Sequence, residues 1–129
     1  MATAEKRIKE AYERKSHTCF TDLVKKVQEW GDEKGITNPN NADKQFMKFI
    51  EEVFEFKSEM DFYIIYDDLR NVYDKSLKLE MGDILVTLII LSKQLDIDLV
   101  ECLEMAYEKI KGRKGKTVDG IFLKEEDLE

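Results

Sequence analysis

The chain has 129 residues, which is enough for one domain with a hydrophobic core. It contains one proline and six glycines, and this small supply of turn-forming residues favours helices over many short strands. The formal net charge of -7 argues against stable nucleic-acid binding, because affinity for a phosphate backbone rests mainly on lysine and arginine. We therefore expect a single all-α domain over residues 1–129.

Signals for export or membrane insertion are not expected in this sequence. Residues 1–9 are charged throughout and lack the apolar core of a secretory signal. The most apolar run, residues 84–91, is far shorter than the roughly 20 residues that cross a bilayer. Cys19 and Cys102 lack the spacing of a metal-binding pair and are interpreted as two buried thiols. We expect a soluble protein of the reducing cytoplasm, with no membrane partner.

The first predicted helix covers residues 20–34 and follows a polar lead-in of about 18 residues. Its apolar side chains recur at steps of three and four residues, the spacing of one helical face, and they are Phe20, Leu23, Val24, Val27 and Trp30. A turn is predicted at residues 37–41, where asparagines flank the only proline. A second helix is expected over residues 43–60.

The middle of the chain is harder to assign. Residues 62–73 are aromatic and acidic with weak periodicity, so we expect a connecting loop or a short helix there. A third helix is predicted to begin at Asp74 or Ser76 and to end around Gln94. Asp96 is the expected N-cap of a fourth helix, because a short acidic side chain can accept hydrogen bonds from the first free backbone amides.

Gly112 is expected to end the fourth helix, and residues 112–129 form a predicted tail that packs through Ile121 and Phe122. Four such helices predict a four-helix-type bundle. Residues 84–91 are apolar on nearly every side of the third helix, more than one protomer can cover. We therefore expect a homo-oligomer, either a dimer or a dimer of dimers.

Two acidic pairs lie on the second and third predicted helices. Glu52 and Glu55 are three residues apart, as are Glu80 and Asp83, and this spacing places both carboxylates of a pair on one side of a helix. The second pair opens the apolar run at residues 84–91, where an uncompensated carboxylate is costly or takes up a proton. Four carboxylates that face one another therefore predict a bound cation. Mg²⁺ suits such oxygen ligands best, and Mn²⁺ is an alternative ion.

Transition-metal chemistry is disfavoured by the residue types present. The sequence has no cluster of cysteine and histidine suited to zinc. Its single histidine, His17, excludes the paired Glu-x-x-His signature of a di-iron bundle.

The acidic residues resemble the motifs of a known family. EExxE, formed by Glu51, Glu52 and Glu55, and then ExxD, formed by Glu80 and Asp83, look like the motifs of the MazG-like all-α nucleoside triphosphate pyrophosphohydrolases. The likeness extends to residues 20–30, 44–53 and 109–115.

The resemblance implies hydrolysis of a nucleoside triphosphate, NTP or dNTP, to the monophosphate and pyrophosphate. It further implies that Mg²⁺ is held by Glu52, Glu55, Glu80 and Asp83, with Glu51 as a supporting or water-activating group.

The same hypothesis assigns roles to basic and aromatic residues. Side chains that hold the remaining phosphate charge are expected to be Lys48, Lys109, Arg113 and Lys114. Trp30 and Phe46 are candidates for stacking on the nucleobase, because flat aromatic faces suit any base. Both assignments have structural alternatives: cations also favour a helix C-terminus, and an aromatic residue at the end of an apolar stripe usually packs in a core or an interface.

Two other functions stay open at this point. A helical dUTPase-type hydrolase uses a related acidic site with a narrower choice of base. A non-enzymatic helical module would instead bind a basic partner through its acidic face and oligomerise through its apolar helix.

Overall fold

The computed structural model describes residues 2–14 and 18–128, so His17 lies outside the described residues. Within these ranges the chain forms α1 (Ala4–Glu13), α2 (Phe20–Glu33), α3 (Ala42–Ile65), α4 (Arg70–Gln94), α5 (Leu99–Lys111), β1 (Gly115–Val118) and β2 (Ile121–Lys124), with short 3-10 turns at Pro39–Asn41, Asp67–Leu69 and Glu125–Asp127. Of the described residues, 77% are helical, which confirms the all-α fold class. None of the helices in the described part of the chain is both long and apolar enough to cross a bilayer.

The polar lead-in contains a helix, α1, that the sequence analysis did not predict. Thr3 caps it by accepting a hydrogen bond from the backbone amide of Lys6 at 3.2 Å. No residue of α1 is buried, and six of its ten residues are charged, so its few apolar side chains give only a weak helical signal. Tyr12 holds α1 to α4 through a 2.7 Å hydrogen bond from its hydroxyl to Asp74.

The predicted connection at residues 62–73 was wrong in extent. Helix α3 continues to Ile65 and α4 already begins at Arg70, so only four residues lie between them. Aromatic side chains account for the difference, because Phe62, Tyr66 and Tyr73 stack on one another with ring centroids 6.1 Å apart. Their mutual packing stabilises both helix ends where the hydrophobic periodicity is weak.

Helices α3 and α4 form an antiparallel pair, as a short connection requires. Near the start of α3, Gln45 donates a 3.1 Å hydrogen bond to the backbone carbonyl of Thr87 near the end of α4. Each step along α3 is therefore matched by a step back along α4. This register places Glu52 opposite Glu80.

Helix α2 packs on the same part of α4. Gly31 is buried there, and a Cβ added to it would lie 2.5 Å from Cδ1 of Ile90, so the two helices approach closely. Val24, Ile89 and Ile90 are the buried apolar side chains of the described chain. Gln94, also buried, donates a 2.9 Å hydrogen bond to the carbonyl of Ile36 and ties the end of α4 to the turn after α2.

The protomer leaves many large apolar side chains exposed. Phe54, Ile65 and Val72 are each about two-thirds accessible to solvent. Cys19 and Cys102 are exposed too, so the prediction of buried thiols was wrong. Cys19 lies at the N-cap of α2, and Cys102 lies in α5, which has no buried residue.

The described chain divides into two compact units, one that runs to Ile97 and one that begins at Asp98. In the second unit Asp98 caps α5, accepting hydrogen bonds from the amides of Val100 and Glu101 at 2.9 and 3.1 Å. Asp96, the predicted cap, instead has a left-handed backbone with φ of 55°, which a helix N-cap does not adopt.

The tail after α5 forms a hairpin. Strands β1 and β2 pair antiparallel, with Gly115 opposite Lys124 and Val118 opposite Ile121. Asp119 and Gly120 form its two-residue turn, and both have positive φ, as a tight hairpin turn requires. Ile121 is about two-thirds exposed and Phe122 about half exposed, so neither is buried as the predicted packing of the tail requires.

Candidate metal centre

The antiparallel pairing of α3 and α4 brings the two acidic motifs together. One carboxylate oxygen from each of Glu52, Glu80 and Asp83 lies within 4.8 Å of the others. Glu80 and Asp83 project from neighbouring positions on one face of α4, and Glu52 faces them from α3. Two residue pairs that are separate in sequence therefore form one acidic cluster.

Glu52 is the most deeply placed of the three carboxylates. It is only 8% exposed, which is rare for a glutamate without full compensation. Its Oε1 lies 3.4 Å from Nζ of Lys48, one turn earlier on α3. Its Oε2 and the Oε2 of Glu80 are buried, and neither has a hydrogen-bond partner among the described residues. Buried acceptors without partners cost stability, so these two oxygens are suited to accept a cation or a hydrogen-bond donor.

The pKa values of two cluster residues are raised by burial and by neighbouring negative charges. Burial raises the pKa of Glu80, and the charge of Asp83 raises it further. Burial also raises the pKa of Asp83, with Glu52 as the second cause. A divalent ion would reverse these shifts, because it favours the charged form of every carboxylate around it.

Glu55 and Glu51 occupy different places around the cluster. Glu55 lies outside the group within 4.8 Å but is electrostatically part of it, because a hydrogen-bonding contact with Glu52 raises the pKa of Glu55. Glu51 is exposed and lies 3.4 Å from Nζ of Lys48. Lys48 thus contacts both Glu51 and Glu52, beside the cluster.

Glu59 was not among the predicted site residues. Its Oε2 is buried without a described partner, and its charge is one of the causes that raise the pKa of Glu80. The signal was present in the sequence, since Glu59 follows Glu55 by four residues and Glu52 by seven, on the same face of α3.

The donor set fits a hard divalent cation. Carboxylate oxygens are the ligands that Mg²⁺ and Mn²⁺ prefer, and the two buried Oε2 atoms still have unused acceptor capacity. Three close carboxylates leave part of an octahedral shell for water or substrate phosphate, which is how Mg²⁺ is usually bound in enzymes.

The two aromatic residues proposed for base stacking lie on α2 and α3. Trp30 lines an apolar cleft of about 280 Å³ between α2 and α4, together with Val86. None of the four carboxylates is among the described residues that line this cleft. Phe46 is half exposed on α3, with its ring centroid 6.1 Å from that of Phe49.

Three of the predicted phosphate-binding residues meet in the second unit. Lys109, Arg113 and Lys114 line an open cleft of about 580 Å³ together with Lys124 of β2. Lys124 was missed because it follows the helical motif by ten residues and joins the cleft only through the hairpin. Glu125 and Glu126 also line the cleft, and Glu126 pairs with Lys124 at 3.7 Å. Lys109, Arg113 and Lys114 therefore supply its positive charge beside two carboxylates.

A comparison with protein-family models decides the affiliation. Residues 43–118, more than half of the chain, match the model of the MazG nucleotide pyrophosphohydrolase domain. The chain belongs to the MazG family. The match spans both acidic motifs of the candidate metal centre and ends in β1. No significant match is found among curated proteins or among solved structures.

Membership of the MazG family supports nucleotide pyrophosphohydrolase activity in general terms. The acidic cluster of this MazG domain is a candidate site for the metal ion on which the family typically depends.

Proposed function

We propose that this MazG domain hydrolyses nucleoside triphosphates to the monophosphate and pyrophosphate with Mg²⁺ as its cofactor. The observation that carries the proposal is the cluster of Glu52, Glu80 and Asp83, in which two buried oxygens have no described partner. An assembly module that merely binds a basic partner would display its carboxylates on the surface, whereas Glu52 is buried.

The ligands in this proposal are Glu52, Glu55, Glu80 and Asp83. When bound, Mg²⁺ would supply charge neutralisation for the phosphate chain and would orient the attacking water. Glu51 is exposed beside the cluster and is suited to accept a proton from water, while Lys48 offers a positive charge to phosphate oxygens. Lys109, Arg113 and Lys114 are proposed to hold the remaining phosphate charge.

We further propose that the working form is a homo-oligomer in the cytoplasm. Phe54, Ile65 and Val72 would expose apolar surface in an isolated protomer, and burial of such surface is the usual driving force of association. Sedimentation velocity would check this point, and a species of monomer mass at micromolar concentration would contradict it.

The activity is tested by incubating the purified protein with a panel of NTPs and dNTPs plus Mg²⁺ and measuring both products. We expect monophosphate and pyrophosphate in equal amounts, with no orthophosphate as a first product. Turnover of dUTP alone would support the narrower dUTPase-type function. The proposal is rejected if neither product forms with any nucleotide of the panel in Mg²⁺ or Mn²⁺.

A variant pair then assigns the chemistry to the cluster. Asp83→Asn should lower kcat by at least about 100-fold. Loss of a residue that only hydrogen-bonds to a metal ligand typically lowers activity by about 10- to 100-fold, and loss of a ligand itself should lower it at least as much. Glu29→Gln, an exposed carboxylate of α2, is the matched control and should leave kcat unchanged.

A further inference from the structure

A second cleft, between α1 and α4, opens beside the acidic cluster. It has a volume of about 600 Å³ and is lined by α1 between Ile8 and Tyr12 and by α4 between Lys75 and Val86. Leu79 adds to its apolar wall, and Asp83 lies within it. Small-molecule sites typically enclose roughly 300–1,000 Å³ of mostly apolar space with a few polar groups, and this cleft matches that description.

Asp83 connects this cleft to the candidate metal centre. The same residue contributes a carboxylate oxygen to the cluster and is one of the residues that line the cleft. From Asp83 the cleft follows α4 back to Lys75, a distance of roughly 12 Å at 1.5 Å per residue. A ligand with phosphates at the cluster therefore has adjoining space for the rest of its length. The cleft beside Trp30 is half as large, and no carboxylate of the cluster is among its described lining residues.

Gly82 gives an independent reason to expect a ligand here. It lies in the interior of α4, where glycine costs about 1 kcal/mol relative to alanine. Its backbone is helical, so no unusual conformation requires glycine, and a Cβ added to it would meet no atom within 4 Å. Since the described protomer offers no packing reason for this glycine, the open space beside Asp83 is available for close approach of another group.

Tyr12 provides a fixed aromatic surface on the opposite wall. Its hydroxyl donates to Asp74 at 2.7 Å, and Nζ of Lys78 lies 4.9 Å from its ring centroid. Lys78 is itself paired with Asp74 at 3.0 Å, so the three side chains hold one another in place. Tyr12 as a whole residue is 42% exposed, so part of its surface is open to a stacking group. Aromatic stacking on a base contributes roughly 1–3 kcal/mol and works with any base.

We propose that the cleft between α1 and α4 binds the nucleoside part of the substrate, with the base against Tyr12 and the sugar over Gly82. This assignment rests on the proposed function, because the phosphates must occupy the carboxylate cluster. The ammonium groups of Lys75 and Lys78 donate hydrogen bonds only, so they suit carbonyl oxygens of a base and hydroxyl oxygens of a sugar. In this assignment α1 is a substrate-binding element and Trp30 is a packing residue.

The first test places larger side chains at Gly82, on the α4 wall of the cleft, and measures ligand binding. Gly82→Leu places a side chain in the open space, Gly82→Ala adds a single methyl group, and Met81→Leu is the matched control on an exposed neighbouring position that does not line the cleft. Binding of non-hydrolysable α,β-imido nucleotides and of inorganic tripolyphosphate is measured by calorimetry with Mg²⁺. For Gly82→Leu we expect the Kd of the nucleotide to rise at least about 10-fold, with the Kd of tripolyphosphate unchanged within about twofold. Met81→Leu should bind both probes as the wild type does.

A second test changes Tyr12, which lines the α1 wall of the cleft and is far in sequence from the proposed metal ligands. Tyr12→Ala should weaken nucleotide binding about 10-fold, whereas Tyr12→Phe keeps the ring and should bind within about threefold of wild type. Tripolyphosphate again serves as the probe without a nucleoside. A thermal shift by Mg²⁺ equal to that of the wild type would show that the carboxylate cluster is intact in each variant.

Any of four results would overturn the assignment. Nucleotide binding could be unchanged in Gly82→Leu and Tyr12→Ala, or lost instead in Trp30→Ala. Tripolyphosphate affinity could fall together with nucleotide affinity, which would place phosphates in the cleft. The variants could alter the sedimenting mass but not nucleotide binding, which would make a second copy of the chain the occupant.

Failure of this inference and failure of the proposed function are distinguishable. If the wild type hydrolyses NTPs but the cleft variants bind nucleotide as the wild type does, the proposed function is supported and the cleft assignment is contradicted. A wild type that binds α,β-imido nucleotides through the cleft without hydrolysing any NTP retains the inference and loses the function.

Discussion

Lys48 lies one helical turn before Glu52, with its Nζ 3.4 Å from Oε1 of that carboxylate, while Oε2 of Glu52 is buried and has no partner among the described residues. One ammonium group therefore compensates one oxygen of a buried carboxylate that also lies close to Glu80 and Asp83 of α4. Because Lys48 is half exposed, solvent screens part of this compensation. The metal-free cluster thus retains net repulsion that a divalent cation would remove.

Lys48→Gln tests this electrostatic balance. Without the ammonium group we expect a lower Tm in EDTA and an Mg²⁺ affinity higher by about two- to fivefold, because one competing positive charge is gone. Differential scanning calorimetry over a series of Mg²⁺ concentrations measures both. Lys57→Gln is the matched control, since Lys57 pairs with Asp61 at 2.6 Å on the same helix and lies outside the cluster. Equal responses of the two variants would contradict the prediction.

Neutralising a ligand should have opposite effects on stability with and without metal. Asp83→Asn removes one of the charges that repel one another, so its Tm in EDTA should be higher than that of the wild type. The gain in unfolding free energy caused by Mg²⁺, about 2.7 kcal/mol at 100 times Kd for the wild type, should largely disappear in the variant. Chemical unfolding with and without Mg²⁺ measures both effects. A full Mg²⁺ gain in Asp83→Asn would exclude Asp83 as a ligand.

The raised pKa values predict a specific pH dependence for the metal-free protein. Burial and neighbouring charges raise the pKa of Glu80 above its ordinary 4.5 and that of Asp83 above its ordinary 3.8. The folded state therefore holds these protons more tightly than the unfolded chain. Their contribution to stability is greatest below the ordinary values and is lost as pH rises through the raised, folded-state values.

The measurement compares wild type with Asp83→Asn in EDTA by urea unfolding between pH 4 and pH 7. The stability of the variant relative to the wild type should increase with pH, because only the wild type must ionise the Asp83 carboxyl, whose pKa is raised in the folded state. The Mg²⁺ gain of the wild type should increase over the same range, since the ion competes with protons. A difference between the two proteins that decreases with pH would contradict the assignment.

A double variant tests whether Lys109 and Arg113 bind phosphate or only stabilise the C-terminus of α5. The double variant Lys109→Gln with Arg113→Gln should raise KM for NTP about 10-fold if these side chains hold phosphate. Lys111→Gln is the control, because Lys111 lies in the same last turn of α5 but pairs with Glu108 and lies over Tyr107 instead of lining the cleft. An equal rise of KM in the control would assign the effect to the helix terminus.

Two glycines of the first unit should respond oppositely to alanine. In Gly31→Ala the new Cβ would lie 2.5 Å from Cδ1 of Ile90, which is 1% exposed and has little room to move. Overpacking of this kind costs about 1–3 kcal/mol and exceeds the gain in helix propensity. Gly82→Ala meets no atom within 4 Å and should be stabilised by up to about 1 kcal/mol. Urea unfolding of both variants checks the contrast.

Much of the fold follows from local sequence signals. The stripe from Phe20 to Trp30 predicted α2 to within one residue, because apolar side chains at steps of three and four can share only one helical face. Helix α3 was extended and α4 began early because the stacking of Phe62 and Tyr73 joins residues from different helices, which no local window contains. The short helix α1 was not predicted for a similar reason, because Tyr12 contacts Asp74, a residue 62 positions later in the sequence.

The candidate site divides in the same way. By itself the sequence determined the family, the two acidic pairs and their helical spacing, because motif identity and i, i+3 geometry are local properties. Only the tertiary structure decided that Glu52 meets Glu80 and Asp83 at close range, and that Gly82 and Tyr12 face a common cleft. The register of α3 on α4 and the docking of α1 set those distances, and both depend on side-chain packing between segments that are far apart in the chain.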